Sequence, residues 1–218
     1  TTFGIDFDAY ENIVLPRLRG AGCRNNIIVA DQRMLTYALG GDSPLPRHAG
    51  KLYGVTDALG GRAGGVFHPK VILQLGRKRG RLIVGSANLT SSGLAGNLEL
   101  VSSIECDAEP SNERRLIAQA FTYLRSVLRS EQNGVAAQLD WLERRTPWLA
   151  AEPLTSEPLL LGDGTMAAFL GGGEAVGIAA RFAGLVGEPV TRLSVISPYW
   201  DEELTALGFL AERLSPSE

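Results

Sequence analysis

Apolar positions recur along this chain with two periods, and the periods divide it into elements. Residues 8–19 read as a helix: Asp8-Ala-Tyr-Glu11 has capping-box spacing, and Ile13, Val14 and Leu18 share a face. Pro16 should distort that helix, and Gly20 with Gly22 should end it. Residues 26–30 are short, apolar and β-branched, as a strand requires, and residues 32–39 form a short helix stopped by Gly40-Gly41. Two prolines make 42–50 a loop. A β-rich stretch follows, with strands expected at 51–56, 64–75, 81–85 and 98–105 and a turn at 76–80. Strands joined by such short connections should be neighbours in one mixed sheet.

Leu116, Ile117, Ala120, Phe121, Leu124, Val127 and Leu128 follow helical spacing and predict a core helix over about 112–129. A second helix is expected over 135–145. Residues 147–158 are proline-rich and read as a linker. Beyond them come a glycine-rich segment, a strand at 190–196 and a helix at 202–213. The expected fold class is α/β, a mixed β-sheet flanked by helices. Residues 1–150 would form one unit, and 151–218 a linker with the beginning of another.

Composition narrows the class. Of 218 residues, 44% are hydrophobic and 21% charged, which excludes a disordered chain. Two cysteines, Cys23 and Cys106, exclude a disulfide scaffold, and their spacing to the two histidines fits no zinc pattern. No metal or cofactor is expected. No apolar run is long enough for a membrane span and no signal peptide is seen, so a cytoplasmic setting and no membrane partner are expected. The opening Thr-Thr, without methionine, reads as an excised or processed piece. The net charge of −3 supplies no global attraction for nucleic acid, so any such binding needs a local patch.

The chemistry concentrates between residues 66 and 100. His68 and Lys70 are two apart, so on a strand both side chains point to one face and can converge on one oxyanion. Imidazole is a nucleophile or acid–base group near neutral pH, and lysine supplies positive charge. Ser86 and Asn88 have the same spacing and could donate neutral hydrogen bonds. Glu99, on a following strand, could accept from an imidazole nitrogen and fix its tautomer. Together these groups suit a phosphoryl group, which needs charge stabilisation and an aligned nucleophile. His48 sits in the proline-rich loop without such partners and reads as a surface residue.

Phe67-His-Pro-Lys70, then Gly85-Ser-Ala-Asn-Leu-Thr90, then Asn97-Leu-Glu99 resembles the phospholipase D superfamily, whose hallmark is H-x-K followed by a G-S-x-N turn. The segment is most similar to the nuclease and tyrosyl-DNA-phosphodiesterase-like branches. His68, Lys70, Ser86, Asn88 and Glu99 match that pattern residue by residue. Val71 to Leu75 lack the aspartate of the phospholipase signature, which fits the branch that pairs H-x-K with asparagine. Residues 190–201, ending in Ser197-Pro-Tyr-Trp-Asp201, resemble more weakly the first strand of a second repeat.

The resemblance implies a phospholipase D-like fold and a metal-independent phosphodiesterase, a nuclease acting on DNA, that works through a phosphohistidine. The family places two H-x-K motifs in one site. This chain has one, so the other half would come from a C-terminal repeat or from a second subunit across a two-fold axis. A strict monomer of this chain is then expected to be inactive. Two other classes remain open: a lipid phosphodiesterase, and a non-catalytic nucleic-acid-binding or assembly module of a restriction or helicase system. Arg77, Lys78 and Arg79, with Arg81, form a basic hairpin that could hold a phosphate backbone near the site, or could be a solvated turn protecting a strand edge. Gly60 to Gly65 could be a rim, an anion nest or a loop. Tyr199 and Trp200 could stack on a base, although an aromatic after a strand is more often core.

Overall fold

The computed structural model describes residues 1–41, 44–58, 60, 65–128, 133–149, 155, 157–172, 177–186, 190–197 and 199–217. The chain is mixed α/β and divides into two compact units, Thr1–Pro153 and Leu154–Glu218. Among the described residues no helix is long and apolar enough to cross a membrane.

The first unit opens with helix α1 (Phe7–Ala9), a π-helical turn (Tyr10–Val14) and α2 (Leu15–Gly20), which run on as one distorted rod. The distortion is the one Pro16 calls for: its ring and missing N–H are incompatible with a regular preceding turn, and a wider turn accommodates both. The capping box expected at Asp8 is not formed. Asp6 caps the helix instead, accepting from the Ala9 amide at 3.1 Å. Glu11 turns away to accept from the amides of Arg47 and His48 and from the Tyr53 hydroxyl.

Strand β1 (Ile27–Asp31) follows, then α3 (Gln32–Gly40) and β2 (Gly54–Ala58), which pairs with β1 in parallel. The hairpin β3 (Val71–Leu75) and β4 (Arg79–Gly85) pairs onward with β5 (Val101–Asp107), all antiparallel. A short helix α4 (Ser91–Ala95) lies between β4 and β5. Helices α5 (Asn112–Val127) and α6 (Asn133–Arg145) complete the unit.

The single mixed sheet of the sequence reading is thus two separate sheets. What joins them is the N-terminal segment. Thr2 bridges Ala30 of β1, while the Thr1 nitrogen donates to the Val71 carbonyl of β3 at 2.6 Å and Thr1 Oγ1 accepts from the Val71 amide at 2.8 Å. The segment carries too few ladder bonds to fuse the two sheets into one.

Alternation along β1 sorts the core. Ile28 and Ala30 face Ile5, Phe7, Tyr10, Leu15, Leu35 and Tyr53. Val29 faces the other way, toward Ala58, Phe67, Val127 and Leu128. Helix α5 buries Leu116, Ile117, Ala120 and Phe121, the stripe its spacing predicts. Residues 147–149 do not begin a linker: Trp148 and Leu149 are buried, and the Trp148 indole donates to the Gly76 carbonyl at 2.9 Å.

In the second unit, β6 (Leu159–Leu160) and β7 (Met166–Ala167) form a small hairpin, followed by α7 (Ile178–Val186) and α8 (Thr205–Leu214). The strand expected at 190–196 is not formed among the described residues. Val190 bonds its backbone to Leu214 and Ser217 at the end of α8, and among the described residues no strand lies beside it to complete a ladder. Tyr199 and Trp200 are exposed rather than core, and Asp201 accepts from the Thr205 amide at the start of α8.

Candidate active site

The strand expected over 64–75 begins only at Val71, so His68 and Lys70 lie on the segment that leads into β3, and Phe67 anchors that segment, its ring buried against Val29, Ala58, Val127 and Leu128. The next residue, His68, projects to the surface. Its ring lies 4.5 Å from that of Phe3, tilted by 42°. Lys70, two residues along, reaches back to it, although neither residue is on a strand. Its Nζ stands 2.7 Å from His68 Nδ1 and 3.3 Å from Nε2, and donates to the His68 carbonyl at 3.0 Å.

This contact has an electrostatic consequence. Two cations side by side repel, and a protonated imidazole has no lone pair for an ammonium to donate to. Partial desolvation and the Lys70 charge hold the His68 pKa below its ordinary value of 6.5, and Asp31 acts in the opposite direction. Desolvation also lowers Lys70 from 10.5, with Glu99 opposing it. These effects favour a neutral imidazole beside the Lys70 cation, a state suited to attack on a phosphoryl group held by that cation.

Register brings the other predicted residues to the same end of the three-stranded sheet. The Gly85 amide donates to the Lys70 carbonyl at 3.1 Å, and the Ser86 amide to the Leu100 carbonyl at 3.0 Å. Ser86 Oγ bonds the Glu99 carboxylate and accepts from the Leu100 amide at 2.9 Å. The other Glu99 oxygen accepts from Asn97 Nδ2 at 3.2 Å. Glu99, expected to orient either His68 or the histidine of the other half-site, makes no hydrogen bond to His68 among the described residues: it lies just before β5 rather than on it, and its two oxygens are engaged by Ser86 and Asn97. Glu99 acts instead on Lys70, through charge.

Asn88 is held from behind. Its Oδ1 accepts from the amides of Phe3 at 3.2 Å and Gly4 at 3.4 Å. Thr2 Oγ1 accepts from the Leu89 amide, Leu89 accepts from the Asp6 amide, and Ser91 Oγ donates to Asp6 Oδ2 at 2.5 Å. Thr90 caps α4 through the Gly93 amide. The Asn88 amide nitrogen has no hydrogen bond among the described residues, so the side chain retains two donors for a ligand oxygen.

The basic hairpin is elsewhere. Leu75 ends β3 at the far end of the sheet from Lys70. Five residues of extended chain at about 3.3 Å each put roughly 17 Å between that end and the site. Arg77, Lys78 and Arg79 cannot touch a phosphate bound between His68 and Lys70, and Arg81 pairs with Glu105 at 2.5 Å. Most of the glycine-rich stretch before the site, residues 61–64, lies outside the described residues. His48 is exposed, as expected.

Thr2, Asp6 and Asp31 were not singled out from the sequence. Only Asp31 carried a local signal, an aspartate at the N-cap position of a predicted helix. Comparison of the chain with models of protein families, with curated proteins and with solved structures finds no match to any of them.

Proposed function

We propose that this chain carries half of a metal-independent phosphodiesterase site of the phospholipase D kind, acting as a nuclease, in a cytoplasmic setting. The observation that carries the reading is the His68–Lys70 contact of 2.7 Å at the sheet end that also presents Ser86 and Asn88. The resemblance in residues 66–100 supplies the reaction class, and the geometry is compatible with it.

In this reading His68 serves as nucleophile or as acid. The attacking imidazole nitrogen forms a P–N bond while the P–O bond to the leaving alcohol breaks. The histidine of the other half-site gives its proton to that oxygen. Water then attacks phosphorus and passes its proton to the same histidine, and the P–N bond breaks, which restores both imidazoles. Lys70 and the Asn88 amide hold the non-bridging oxygens. Glu99 sustains the charge of Lys70, and Ser86 holds Glu99.

The other half-site comes from a second copy of the chain or from a repeat on a longer protein. Hydrolysis of bis-p-nitrophenyl phosphate and of labelled single- and double-stranded DNA, in EDTA, over a range of chain concentrations separates these. A specific rate that rises with concentration, alongside dimer by light scattering, assigns the second half to another copy. Activity only in a longer protein assigns it to a repeat. Binding of DNA with no cleavage by either would replace the enzyme with a binding module.

A further inference from the structure

Asp31 is almost completely buried, with 2% of its surface exposed, at the point where β1 becomes α3. Its Oδ1 accepts from the amides of Arg33 at 3.0 Å and Met34 at 3.2 Å, an ordinary helix cap. Serine, threonine or asparagine would satisfy that role with one oxygen. The second oxygen does something the helix does not require. Oδ2 accepts from the Phe67 amide at 2.8 Å, the residue immediately before His68. Arg33 adds a second tether, donating from Nη2 to the Gly65 carbonyl at 3.0 Å. The first turn of α3 therefore grips the backbone on the approach to the histidine, and the Phe67 ring fixes it in the core.

We propose that Asp31 is a positioning residue for His68: its buried carboxylate fixes the backbone from which the imidazole projects and places a negative charge near the ring. The inference takes His68 as the reactive group of the proposed function. Both oxygens of Asp31 are engaged by backbone amides, so a neutral isostere cannot replace it. Asparagine has one acceptor oxygen, and its amino group would face either the cap amides or the Phe67 amide, donor against donor. The charge matters because Lys70 holds a cation against the ring. Lys70 and desolvation favour neutral imidazole, and Asp31 favours the protonated form. Glu99 reaches His68 through Lys70, and Arg33, held at Gly65, also stands 4.0 Å from Asp31 Oδ1, where it offsets part of that charge. An imidazole balanced between the two charges can both lose and accept a proton in one catalytic cycle.

The test reads the imidazole and not cleavage, so it can fail independently of the phosphodiesterase reading. The chain has two histidines, and the exposed His48 is an internal reference. In 15N-histidine NMR titrations of the intact chain, Asp31→Asn should move the His68 midpoint to lower pH and leave His48 in place. Asp31→Ser, which keeps a cap oxygen, should shift His68 the same way. An unchanged His68 midpoint in a folded variant overturns the proposal. Should neither variant fold, amide exchange in the wild-type chain decides. The Phe67 amide should exchange far more slowly than that of exposed Val66, and equal rates overturn the tether.

Discussion

Gly93 is where the turn bearing Asn88 can be tested with a single methyl group. A Cβ at this position would lie 2.4 Å from the Asn88 carbonyl oxygen, 2.9 Å from its nitrogen and 3.2 Å from its carbonyl carbon. All three are backbone atoms, so no side chain can swing aside. Ordinary carbon–oxygen contacts begin at about 3.3 Å, so α4 and the turn must separate by nearly 1 Å. Forcing extra volume into a packed site costs about 1–3 kcal/mol. Moving Asn88 also strains its bonds to Phe3 and Gly4, each worth about 1 kcal/mol. Alanine returns at most about 1 kcal/mol through helix propensity. The net loss for Gly93→Ala is about 1–3 kcal/mol, which lowers Tm by roughly 3–10 °C for a chain of this length. Gly134→Ala is the control: its Cβ meets nothing within 4 Å, and it should gain up to about 1 kcal/mol. Melting followed by circular dichroism reads both. A Gly93→Ala chain that melts at or above the wild-type temperature would refute the packing argument.

The pH profile follows from the His68–Lys70 pair. With His68 as nucleophile, attack needs the neutral ring, so the rate rises with pH through a histidine pKa held below 6.5, and it falls again as the acid histidine of the other half-site loses the proton it must give to the leaving oxygen. An acid limb centred above 6.5 would contradict the lowered histidine. Glu99→Gln removes the charge that raises Lys70, so the Lys70 ammonium, followed by 15N NMR, should titrate at lower pH, and an unchanged midpoint would contradict that coupling. Replacing Arg77, Lys78 and Arg79 by alanine should leave the rate on a small diester unchanged, and a tenfold loss would show that the hairpin reaches the site. Gly80→Ala would put a Cβ 2.6 Å from the Trp148 ring and displace a buried indole, with a loss of about 1–3 kcal/mol readable as a lower Tm.

What could be read from the sequence was local. The stripe of α5 has a helical period, and burial of that face is what such a period reports. The His68–Lys70 contact joins residues only two apart, so the pair is visible in the sequence even though the strand begins after it. The parts that escaped are made by contacts distant in sequence. Asn88 is held by the amides of Phe3 and Gly4, in a segment that carries no motif. Asp31 reads as a helix cap, but the partner of its second oxygen lies 36 residues later. The region around 190–196 shows the converse error: β-branched residues favour extended chain, but a strand exists only with a neighbour to bond, and Val190 bonds to the end of α8 instead. The basic hairpin is close to the site in sequence, but the length of β3 lies between them.

The central claim is that His68 does chemistry on a phosphodiester. The most direct test is EDTA-resistant cleavage of bis-p-nitrophenyl phosphate by the active assembly, wild type against His68→Ala, with both confirmed folded by circular dichroism. His68 is exposed, so its loss should leave the fold intact. The account predicts cleavage in the wild type and a loss of at least a thousandfold, about 4 kcal/mol of barrier, in the variant. Equal rates in the two proteins would contradict it.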